Sequence, residues 1–512
     1  MSKKKLNFPK IRFSRHYRPP AAPLGVIDIG SNSVRLVAFG GSARSPVPIY
    51  NEKTFCKLGE SVAATGRIES EAEALTIATL KRFRAVGKRL GIAHYSAVAT
   101  AAVRDAENSA EFVRLAEQAL GAEIQVLSGQ MEAKYAAKGV MMGFEKVDGI
   151  VGDLGGGSLE LVRVIKGEIV ESATLPLGVL RLTPRFGSDT AAMNEYVKQQ
   201  LAPLTWLQQG SDKPIYMVGG TWRALARVHM ARMDYGLKML HHYKMRPADM
   251  LDFTRLISNL SPESVEHINA ANAVRRPYLP ASASVLNELI KLTGCGRLII
   301  SANGLREGIL YSSLTDKLRA EDPLMVACRD IGKRLCKDAD YADELQLWTS
   351  ELFSGQNLSS KKSKYFNRLR NAACLINDMA WNQHNDYRGW FAANSILRAP
   401  LNCINHNGRR FLAHALYMRH NGAEDELPEG MTPISETHLK LSRALGLSFR
   451  LAHALSGSLP GLLAQTELTR KGNKLRLVLP KKHSNLHGPI IDKRLAALAQ
   501  ELGLDHEIKF VS

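Results

Sequence analysis

Two stretches of the chain pair a carboxylate with a glycine-rich turn that ends in serine. They are Val26-Ile-Asp-Ile-Gly-Ser-Asn-Ser33 and Val151-Gly-Asp-Leu-Gly-Gly-Gly-Ser-Leu-Glu160. In each, a β-branched apolar run predicts a buried strand, and the following glycines allow close approach of the backbone to a ligand. Serine hydroxyls and free N–H groups can then bind phosphate oxygens. The aspartate at each strand end can hold a divalent cation such as Mg²⁺ beside the phosphate.

A third turn of this type occurs at Tyr216-Met-Val-Gly-Gly-Thr221, where apolar residues again run into two glycines and a hydroxyl. Any one of the three sequences is also explained by an ordinary tight turn. Three such turns, each after an apolar run, favour a shared phosphate-binding cleft.

These turns and three further motifs resemble the exopolyphosphatase and guanosine pentaphosphate phosphatase family. The further motifs are Val98-Ala-Thr-Ala-Ala-Val-Arg-Asp-Ala106, Val126-Leu-Ser-Gly-Gln-Met-Glu-Ala133 and Gly304-Leu-Arg-Glu-Gly308. The resemblance covers about residues 24–312 and is weaker beyond them. It implies the duplicated ribonuclease-H-like core that this family shares with actin, sugar kinases and Hsp70-type ATPases.

The elements needed to position the turns follow from the apolar periodicity. It predicts a hairpin over residues 24–39, helices over 70–90 and 107–120, and strands over 95–100, 124–127 and 159–165. The pattern restarts near residue 150, which indicates an internal repeat with a cleft between two halves related by a pseudo-two-fold axis. Beyond residue 315 it becomes mainly helical, and residues 475–511 predict a strand-helix-strand unit.

The predicted fold class is therefore α/β, with an actin-like ATPase core, an all-helical HD-like domain and a small α+β end domain. The predicted limits are a basic flexible tail over 1–23, actin-like subdomains over 24–138 and 139–312, the helical domain over 313–445 and the end domain over 446–512. A chain of 512 residues is too long for one hydrophobic core, which agrees with several domains.

The resemblance implies a set of site residues for phosphoanhydride hydrolysis. Glu132 is the candidate base, although the family usually has a second acid where Met131 stands, and a carboxylate that complements a helix N-terminus is the competing interpretation. Asp153 and Glu160 are implied to arrange Mg²⁺ and the attacking water, and Asp28 is the equivalent acid of the first turn, so the predicted metal ligands are Asp28, Asp153 and Glu160. The predicted phosphate-binding residues are Gly30, Ser31, Asn32, Ser33, Arg104, Gly155, Gly156, Gly157, Ser158, Gly219, Gly220 and Thr221.

Two members of this set have an alternative explanation in surface chemistry. A guanidinium at position 104 suits two phosphoryl oxygens, but Arg104 is equally explained by a surface salt bridge at a helix start. Glu160 lies in a predicted strand, where a carboxylate on the polar face is common. Arg35 faces either the substrate or solvent and is not included among the predicted site residues.

Charge and composition favour a large enzyme that acts on an anionic substrate. The formal net charge is +19, and seven of these charges lie in residues 1–20, which leaves +12 for the rest of the chain. A basic body attracts polyanions, although a solvated basic surface explains the positive charge too.

No apolar run spans a membrane, no signal-peptide pattern follows the first lysines, and the six cysteines show no metal-finger spacing. The expected location is the cytoplasm.

Residues 368–420 resemble the HD-like helical domain of longer family members. The position of the family's metal-binding His-Asp pair is occupied here by Asn377-Asp378. Loss of the imidazole removes a ligand, so we expect a scaffold that extends a basic channel and supports a homodimer, without metal chemistry.

The resemblance implies an exopolyphosphatase that uses Mg²⁺ to remove the terminal phosphate of inorganic polyphosphate, processively, because a basic channel retains the chain. A requirement for a monovalent cation such as K⁺ is left open. The nearest rival function is removal of the 5′ γ-phosphate of guanosine pentaphosphate, with guanosine tetraphosphate as a further ligand. A sugar-kinase-like phosphotransferase and a non-catalytic polyanion- or alarmone-binding regulator are candidates from different functional classes. No specific nucleic acid and no membrane are expected as partners.

Overall fold

The computed structural model describes residues 22–422 and 427–512. The basic tail predicted over residues 1–23 lies outside the described residues, apart from its last two. Within the described ranges, no helix combines the length and the apolar character that crossing a membrane would need.

The first half is built on a sheet with the strand order β3-β2-β1-β4-β5. Strand β1 pairs antiparallel with β2 and parallel with β4. The predicted hairpin is confirmed, because a short turn joins β1 to β2, and so is the helix over residues 70–90. The elements are β1 (Leu24–Ile29), β2 (Val34–Gly40), β3 (Val47–Thr54), α1 (Leu58–Thr65), α2 (Ser70–Leu90), β4 (His94–Ala99), α3 (Ala101–Asp105), α4 (Ser109–Leu120) and β5 (Ile124–Val126).

The second half repeats this arrangement. Its sheet has the order β8-β7-β6-β9-β11-β10, in which β6 again pairs antiparallel with the next strand and parallel with β9. The internal duplication is therefore confirmed. The elements are β6 (Gly149–Leu154), β7 (Leu159–Ile165), β8 (Glu168–Leu175), α6 (Val179–Phe186), α7 (Thr190–Leu201), β9 (Pro214–Val218), α8 (Gly220–Arg232), β10 (Lys244–Met245), α9 (Pro247–Ser258), α10 (Pro262–Glu266), α11 (Leu279–Thr293) and β11 (Arg297–Ile300).

Helix α5 (Gly129–Gly143) connects the two halves, and α12 (Leu305–Ser313), which follows the second half, packs against it. Their backbones approach closely at glycines: a Cβ atom on Gly139 would lie 2.0 Å from the Gly304 carbonyl oxygen, and one on Gly308 would lie 1.7 Å from that of Tyr135. Any side chain at these positions would separate the helices. The contact fixes the start of α5, which carries Glu132, relative to both sheets.

A mainly helical region follows, as predicted. Its helices are α13 (Asp316–Ala320), α14 (Pro323–Leu335), α15 (Tyr341–Trp348), α16 (Ser360–Leu375), α17 (Arg388–Arg398), α18 (His406–Asn421) and α19 (Glu436–Ser456). The chain ends with β12 (Glu467–Lys471), β13 (Lys474–Pro480), α20 (Pro489–Leu502) and β14 (Asp505–Val511). The predicted strand-helix-strand unit is present, and β12 adds a strand that its short, charged sequence did not indicate.

The end domain and the helical region share one hydrophobic core, which runs from Leu324 to Leu504. The predicted limit between residues 445 and 446 falls inside α19, and the limit between 138 and 139 falls inside α5. The domain limits therefore stay predictions, and these two cross continuous helices.

Candidate active site

The three glycine-rich turns converge on one open cleft of about 200 Å³ between the two halves of the core. The cleft is lined by every predicted site residue except Arg104: Asp28, Gly30, Ser31, Asn32, Ser33, Glu132, Asp153, Gly155, Gly156, Gly157, Ser158, Glu160, Gly219, Gly220 and Thr221. Residues that are almost two hundred positions apart in the sequence are thus brought together, as the repeat predicted.

The first two turns are closed by the same hydrogen bond. The Gly30 N–H donates to the Ser33 carbonyl oxygen at 3.0 Å, and the Gly155 N–H donates to that of Ser158 at 2.9 Å. Each turn begins two residues after the aspartate of its strand. The remaining N–H groups and hydroxyls of the two turns line the cleft, where they form a concave set of donors suited to an anion.

The third turn lies against the second. Gly219 has φ = +102°, a conformation that L-residues other than glycine rarely adopt, and a Cβ atom there would lie 2.4 Å from the Leu154 carbonyl oxygen. Helix α8 starts at the next residue, so its N-terminal N–H groups and the Thr221 hydroxyl are placed at the cleft. A helix N-terminus attracts phosphate through these donors and its dipole.

Three carboxylates that face one another occupy the floor of the cleft. Asp153 and Glu160 are directly opposite across the β6–β7 pair, and Glu132 adds a third acid from α5. Burial raises the pKa of Glu132 to about 7, with a further increase from Asp153. Burial also raises the pKa of Asp153 to about 6, and burial together with Glu132 raises the pKa of Glu160 well above its usual range. Such shifts are characteristic of sites that transfer protons or bind cations.

Glu132 lies in the first turn of α5, whose N-cap Ser128 accepts a hydrogen bond from the Met131 N–H at 3.3 Å. Its side chain is only 15% exposed and accepts from Arg104 Nη1 at 3.4 Å. The position agrees with the helix-terminus interpretation, but a carboxylate that only complements the dipole would face solvent. Its burial beside two other acids favours a role in chemistry.

Arg104 lies beside the cleft rather than in its lining. Its guanidinium donates to the Leu127 carbonyl oxygen at 3.0 Å, to Asp105 at 3.2 Å and to Glu132. These contacts involve the Nε and Nη1 atoms of the guanidinium. The contact with phosphate implied by the resemblance stays a prediction, and the geometry instead connects Arg104 to the candidate base.

Known proteins resemble both parts of the chain. The family model described as "Ppx/GppA phosphatase family" matches residues 37–317, and the one described as "Exopolyphosphatase, C-terminal" matches residues 324–510. The chain belongs to the Ppx/GppA phosphatase family. The predicted enzyme class, a hydrolase of phosphoanhydride bonds, is confirmed by this membership.

Individual members of the Ppx/GppA family match the core. The chain is 27% identical to Exopolyphosphatase 1 of Mycobacterium tuberculosis over 303 residues, which are 57% of this chain and 88% of that protein. The corresponding protein of Mycobacterium leprae is 26% identical over 321 residues, 60% of this chain and 94% of its own. The crystal structure of the Aquifex aeolicus family member is 25% identical with a TM-score of 0.50, and it covers 57% of this chain and 96% of that one. The predicted actin-like fold is confirmed.

Five cationic side chains of the described cleft were not among the predicted site residues: Arg35, Lys53, Arg223, Arg275 and Arg306. Arg306 belongs to the Gly304–Gly308 motif and Arg223 follows Thr221 by two positions, so local signals existed for both. Arg275 and Lys53 carry none, because only the tertiary fold brings them to the cleft. Burial and the neighbouring guanidinium groups lower the pKa of Lys53 to about 8. This family member therefore has a strongly cationic cleft wall opposite its acidic floor.

The two halves are joined across the cleft by an ion pair. Arg306 Nη1 lies 2.9 Å from Asp28 Oδ2, and both side chains are largely buried. The Arg306 Nε atom is buried without a hydrogen-bond partner. Asp28 is thus already paired with a cation, whereas repulsion from neighbouring acids contributes to the raised pKa of Glu132 and of Glu160.

The donor set fits a magnesium ion at Asp153 and Glu160 more closely than at all three predicted ligands. No cluster of three or more His, Cys, Asp or Glu side chains with metal-binding geometry occurs in the described ranges. Mg²⁺ needs only one or two carboxylates besides water and substrate oxygens. The Glu160 Oε1 atom is buried without a hydrogen-bond partner beside Asp153. A cation here would relieve the repulsion between the two acids.

The HD-like position in the helical region is occupied by a side-chain network. Asn377 Nδ2 donates to the Cys374 carbonyl oxygen at 2.7 Å, and Asp378 Oδ1 pairs with Arg419 Nη2 at 2.5 Å. A guanidinium therefore lies where the carboxylate would bind a metal. The homodimer and the HD-like assignment stay predictions.

Proposed function

We propose that this enzyme is an exopolyphosphatase, which hydrolyses the terminal phosphoanhydride bond of inorganic polyphosphate in a magnesium-dependent reaction. The observation that carries the proposal is the composition of the cleft, in which phosphate-binding turns and five cations adjoin three buried acids. The names of the mycobacterial relatives, Exopolyphosphatase 1, support it.

The cationic wall would bind the charge of several successive phosphates. Arg275 donates to the Thr221 hydroxyl at 3.2 Å, and Arg35 donates to the Asn51 side chain at 2.8 Å. Because both acceptors are neutral, the positive charge of these guanidinium groups remains available for phosphoryl oxygens. The turns would hold the terminal phosphate by N–H and hydroxyl donation, which orients its bridging oxygen relative to the acidic floor.

Glu132 would act as the general base. A carboxylate with a pKa of about 7 is substantially ionised at neutral pH, and it is also basic enough to take a proton from an attacking water. Arg104 donates a hydrogen bond to the Oε2 atom of Glu132, which leaves the Oε1 atom of Glu132 to accept the proton of the water. Asp153 and Glu160 would hold Mg²⁺, which when bound neutralises charge that develops on the phosphoryl oxygens.

Processive action is consistent with the charge of the chain. A net charge of +12 beyond the first twenty residues raises the local concentration of a polyanion and slows its escape after each cleavage. The shortened polymer would then move forward by one phosphate along the cationic wall.

Removal of the 5′ γ-phosphate of guanosine pentaphosphate is the second candidate, because the aromatic ring of Tyr278 lines the same cleft. An aromatic face can stack against a nucleobase, whereas inorganic polyphosphate contains no base that could stack on it. The strongly cationic wall favours the polymer.

The test compares phosphate release from polyphosphate and from guanosine pentaphosphate by one preparation, with Glu132→Gln as the inactive variant. We expect a higher kcat/KM for polyphosphate, and a loss of about 10²- to 10⁴-fold in kcat for the variant. Glu123→Gln, an exposed carboxylate outside the cleft, serves as the control. Faster turnover of the nucleotide would reverse the order of the two substrates, and unchanged hydrolysis by Glu132→Gln would remove this residue from the mechanism.

A further inference from the structure

A second charged cavity lies in the C-terminal region, away from the turns that form the active site. Its volume is about 480 Å³, and it opens among the ends of several helices. It is lined by Lys337, Asp378, Trp381, Asn385, Arg388, Arg419, His420, Arg450, His453 and Arg494. These residues come from segments that follow α14 and α16, and from α17, α18, α19 and α20, so the fold rather than one local motif assembles them.

The charge of this cavity is unbalanced. Its described lining contains five lysine or arginine side chains and one carboxylate, Asp378. That carboxylate is already paired with Arg419, and both side chains are only 4% exposed. The positive charge of the other four cations is therefore not compensated by an acid of the lining. A concave surface with an excess of one charge concentrates counter-ions of the opposite sign.

Three of the arginines are positioned by neutral main-chain acceptors. Arg388 Nε donates to the Gln383 carbonyl oxygen at 2.9 Å, and Arg494 Nη1 donates to that of Arg450 at 2.7 Å. Arg450 in turn donates to the carbonyl oxygen of His420. These hydrogen bonds fix the guanidinium groups without neutralising them, which is how a preorganised anion site is built.

Two polar atoms buried behind the cavity lining lack hydrogen-bond partners. The Arg419 Nε and the Asp378 Oδ2 atoms are buried and make no hydrogen bond. Burial and the surrounding cations lower the pKa of His420 to about 2 and that of His453 to about 4. The two imidazoles are thus neutral near pH 7, and they can accept or donate hydrogen bonds without adding charge.

We propose that this cavity binds a compact oligophosphate group, at a site separate from the active-site cleft. The volume accommodates a few linked phosphates, and a guanidinium group can bind two phosphoryl oxygens at once through its planar donors. Such a group could arrive as free inorganic oligophosphate or as the phosphates of a nucleotide. Trp381, which is 40% exposed, provides a surface for a nucleobase, and Asn385 provides a polar edge, so the test must separate the two sources.

The experiment measures calorimetric binding of inorganic triphosphate to the full-length Glu132→Gln protein, in which hydrolysis is blocked. We expect two binding events, one in each cavity. Adding Arg388→Gln and Arg494→Gln should weaken the second event by about tenfold or more, because two charge-assisted contacts are lost. The matched control is Arg398→Gln with Lys493→Gln, which removes the same charge from exposed positions of the same two helices outside the cavity.

The proposal is overturned if no binding event is weakened in the cavity variant, or if the cavity and control variants weaken binding equally. It is also overturned if the cavity variant retains the second binding event and has the same melting temperature as the Glu132→Gln protein. Should the double variant fail to fold, the single Arg388→Gln variant, whose side chain is partly exposed, is measured in its place. Its second event should still weaken more than that of Arg398→Gln, and equal weakening would contradict the proposal.

A parallel titration with adenosine triphosphate identifies the source of the phosphates. If the nucleotide is the ligand, Trp381→Leu should weaken the binding of adenosine triphosphate but not of inorganic triphosphate. If free oligophosphate is the ligand, the two probes should bind alike and Trp381→Leu should change neither. Both results support the site, whereas the absence, with both probes, of any binding that depends on Arg388 and Arg494 contradicts it.

Discussion

The hairpin β1–β2 and the hairpin β6–β7 have the same strand pairing and different charge patterns. Asp28 is opposite Arg35 in the first pair, and Asp153 is opposite Glu160 in the second, at equivalent register positions. Both turns are closed by the same glycine-to-serine hydrogen bond. The two halves thus provide equivalent frameworks that differ in charge at one position. Under the proposed function, this difference assigns anion binding to the first half and acid-base and cation chemistry to the second.

The carboxylates show the consequence of this difference. Asp28 pairs with Arg306 at 2.9 Å, so its charge is compensated by the protein. Asp153 lies partly buried near Glu132 and Glu160, and burial raises its pKa to about 6, against the lowering effect of Arg223. The second half therefore retains destabilising charge in the folded state, as is common where a protein uses repulsion for function.

The largest effect is expected for Asp153→Asn, which removes this charge. Phosphate release should decrease by about 10²-fold or more, because the proposed cation loses one of two carboxylates. Stability should increase by up to about 3 kcal/mol at pH 8, since a two-unit rise in pKa corresponds to that difference. Steady-state kinetics and thermal unfolding of the same preparation measure both changes.

The sign of the pH dependence follows from the raised pKa. The unfolded chain ionises this carboxyl above about pH 4, whereas the folded protein keeps the proton until about pH 6. The contribution of Asp153 to stability is therefore present below pH 4 and is lost as pH rises through 6, and the variant should lack this decrease. Asp148→Asn, at an exposed ion pair with Lys213 just before β6, should change stability by less than about 1 kcal/mol. A destabilised Asp153→Asn protein would contradict the account.

A smaller loss is expected for Gly219→Ala, which leaves every charged group of the cleft in place. The new Cβ would combine a strained φ of +102° with a contact of 2.4 Å to Leu154, and so displace the turn beside Asp153. We expect about a tenfold loss of kcat and a destabilisation of about 1 to 3 kcal/mol. Gly167→Ala is the matched control, since Gly167 has φ = +90° but open space around it. Its stability should decrease while kcat stays unchanged; equal kinetic losses in both variants would disprove the role of the third turn.

The smallest effect is expected for Arg104→Met, and it concerns the pH profile. The guanidinium of Arg104 lowers the pKa of Glu132 against the larger effect of burial. Without this guanidinium, Glu132 keeps its proton to higher pH. The acidic limb of the kcat profile should therefore shift to higher pH, while the value of kcat at the plateau changes little. Arg104→Lys should restore part of the shift, and Arg114→Met, at an exposed position on α4, should cause none. An unmoved limb would show that Arg104 does not act through Glu132.

Much of the core could be predicted from sequence because its signals are local. Helix α2 extends over the predicted residues 70–90, since its apolar spacing is regular and Gly91, with φ = +72°, ends it. The turns are recognisable because the same order of aspartate, glycine and serine occurs twice, each time at the end of a buried strand. The repeat predicts that the turns converge, and all three line the same cleft.

The cationic wall could not be predicted in the same way. Arg275 and Lys53 lie in segments without a motif, and arginine and lysine are common on any surface. Arg104 shows the opposite difficulty, because its place in a motif implies contact with substrate, although its hydrogen bonds connect it to Glu132 and Leu127. Long side chains reach in directions that sequence spacing does not determine.

The most direct test of the contrast between the two hairpins is a side-by-side measurement of kcat, KM and polyphosphate affinity for Arg35→Gln and Glu160→Gln. The account predicts that Arg35→Gln weakens binding and raises KM by about tenfold with kcat nearly unchanged, through the loss of a charge-assisted contact. It predicts that Glu160→Gln lowers kcat by about 10²-fold with binding retained. If both variants change the same parameter, or if Arg35→Gln lowers kcat and Glu160→Gln raises KM, the proposed assignment of substrate binding to the first half and catalysis to the second is wrong.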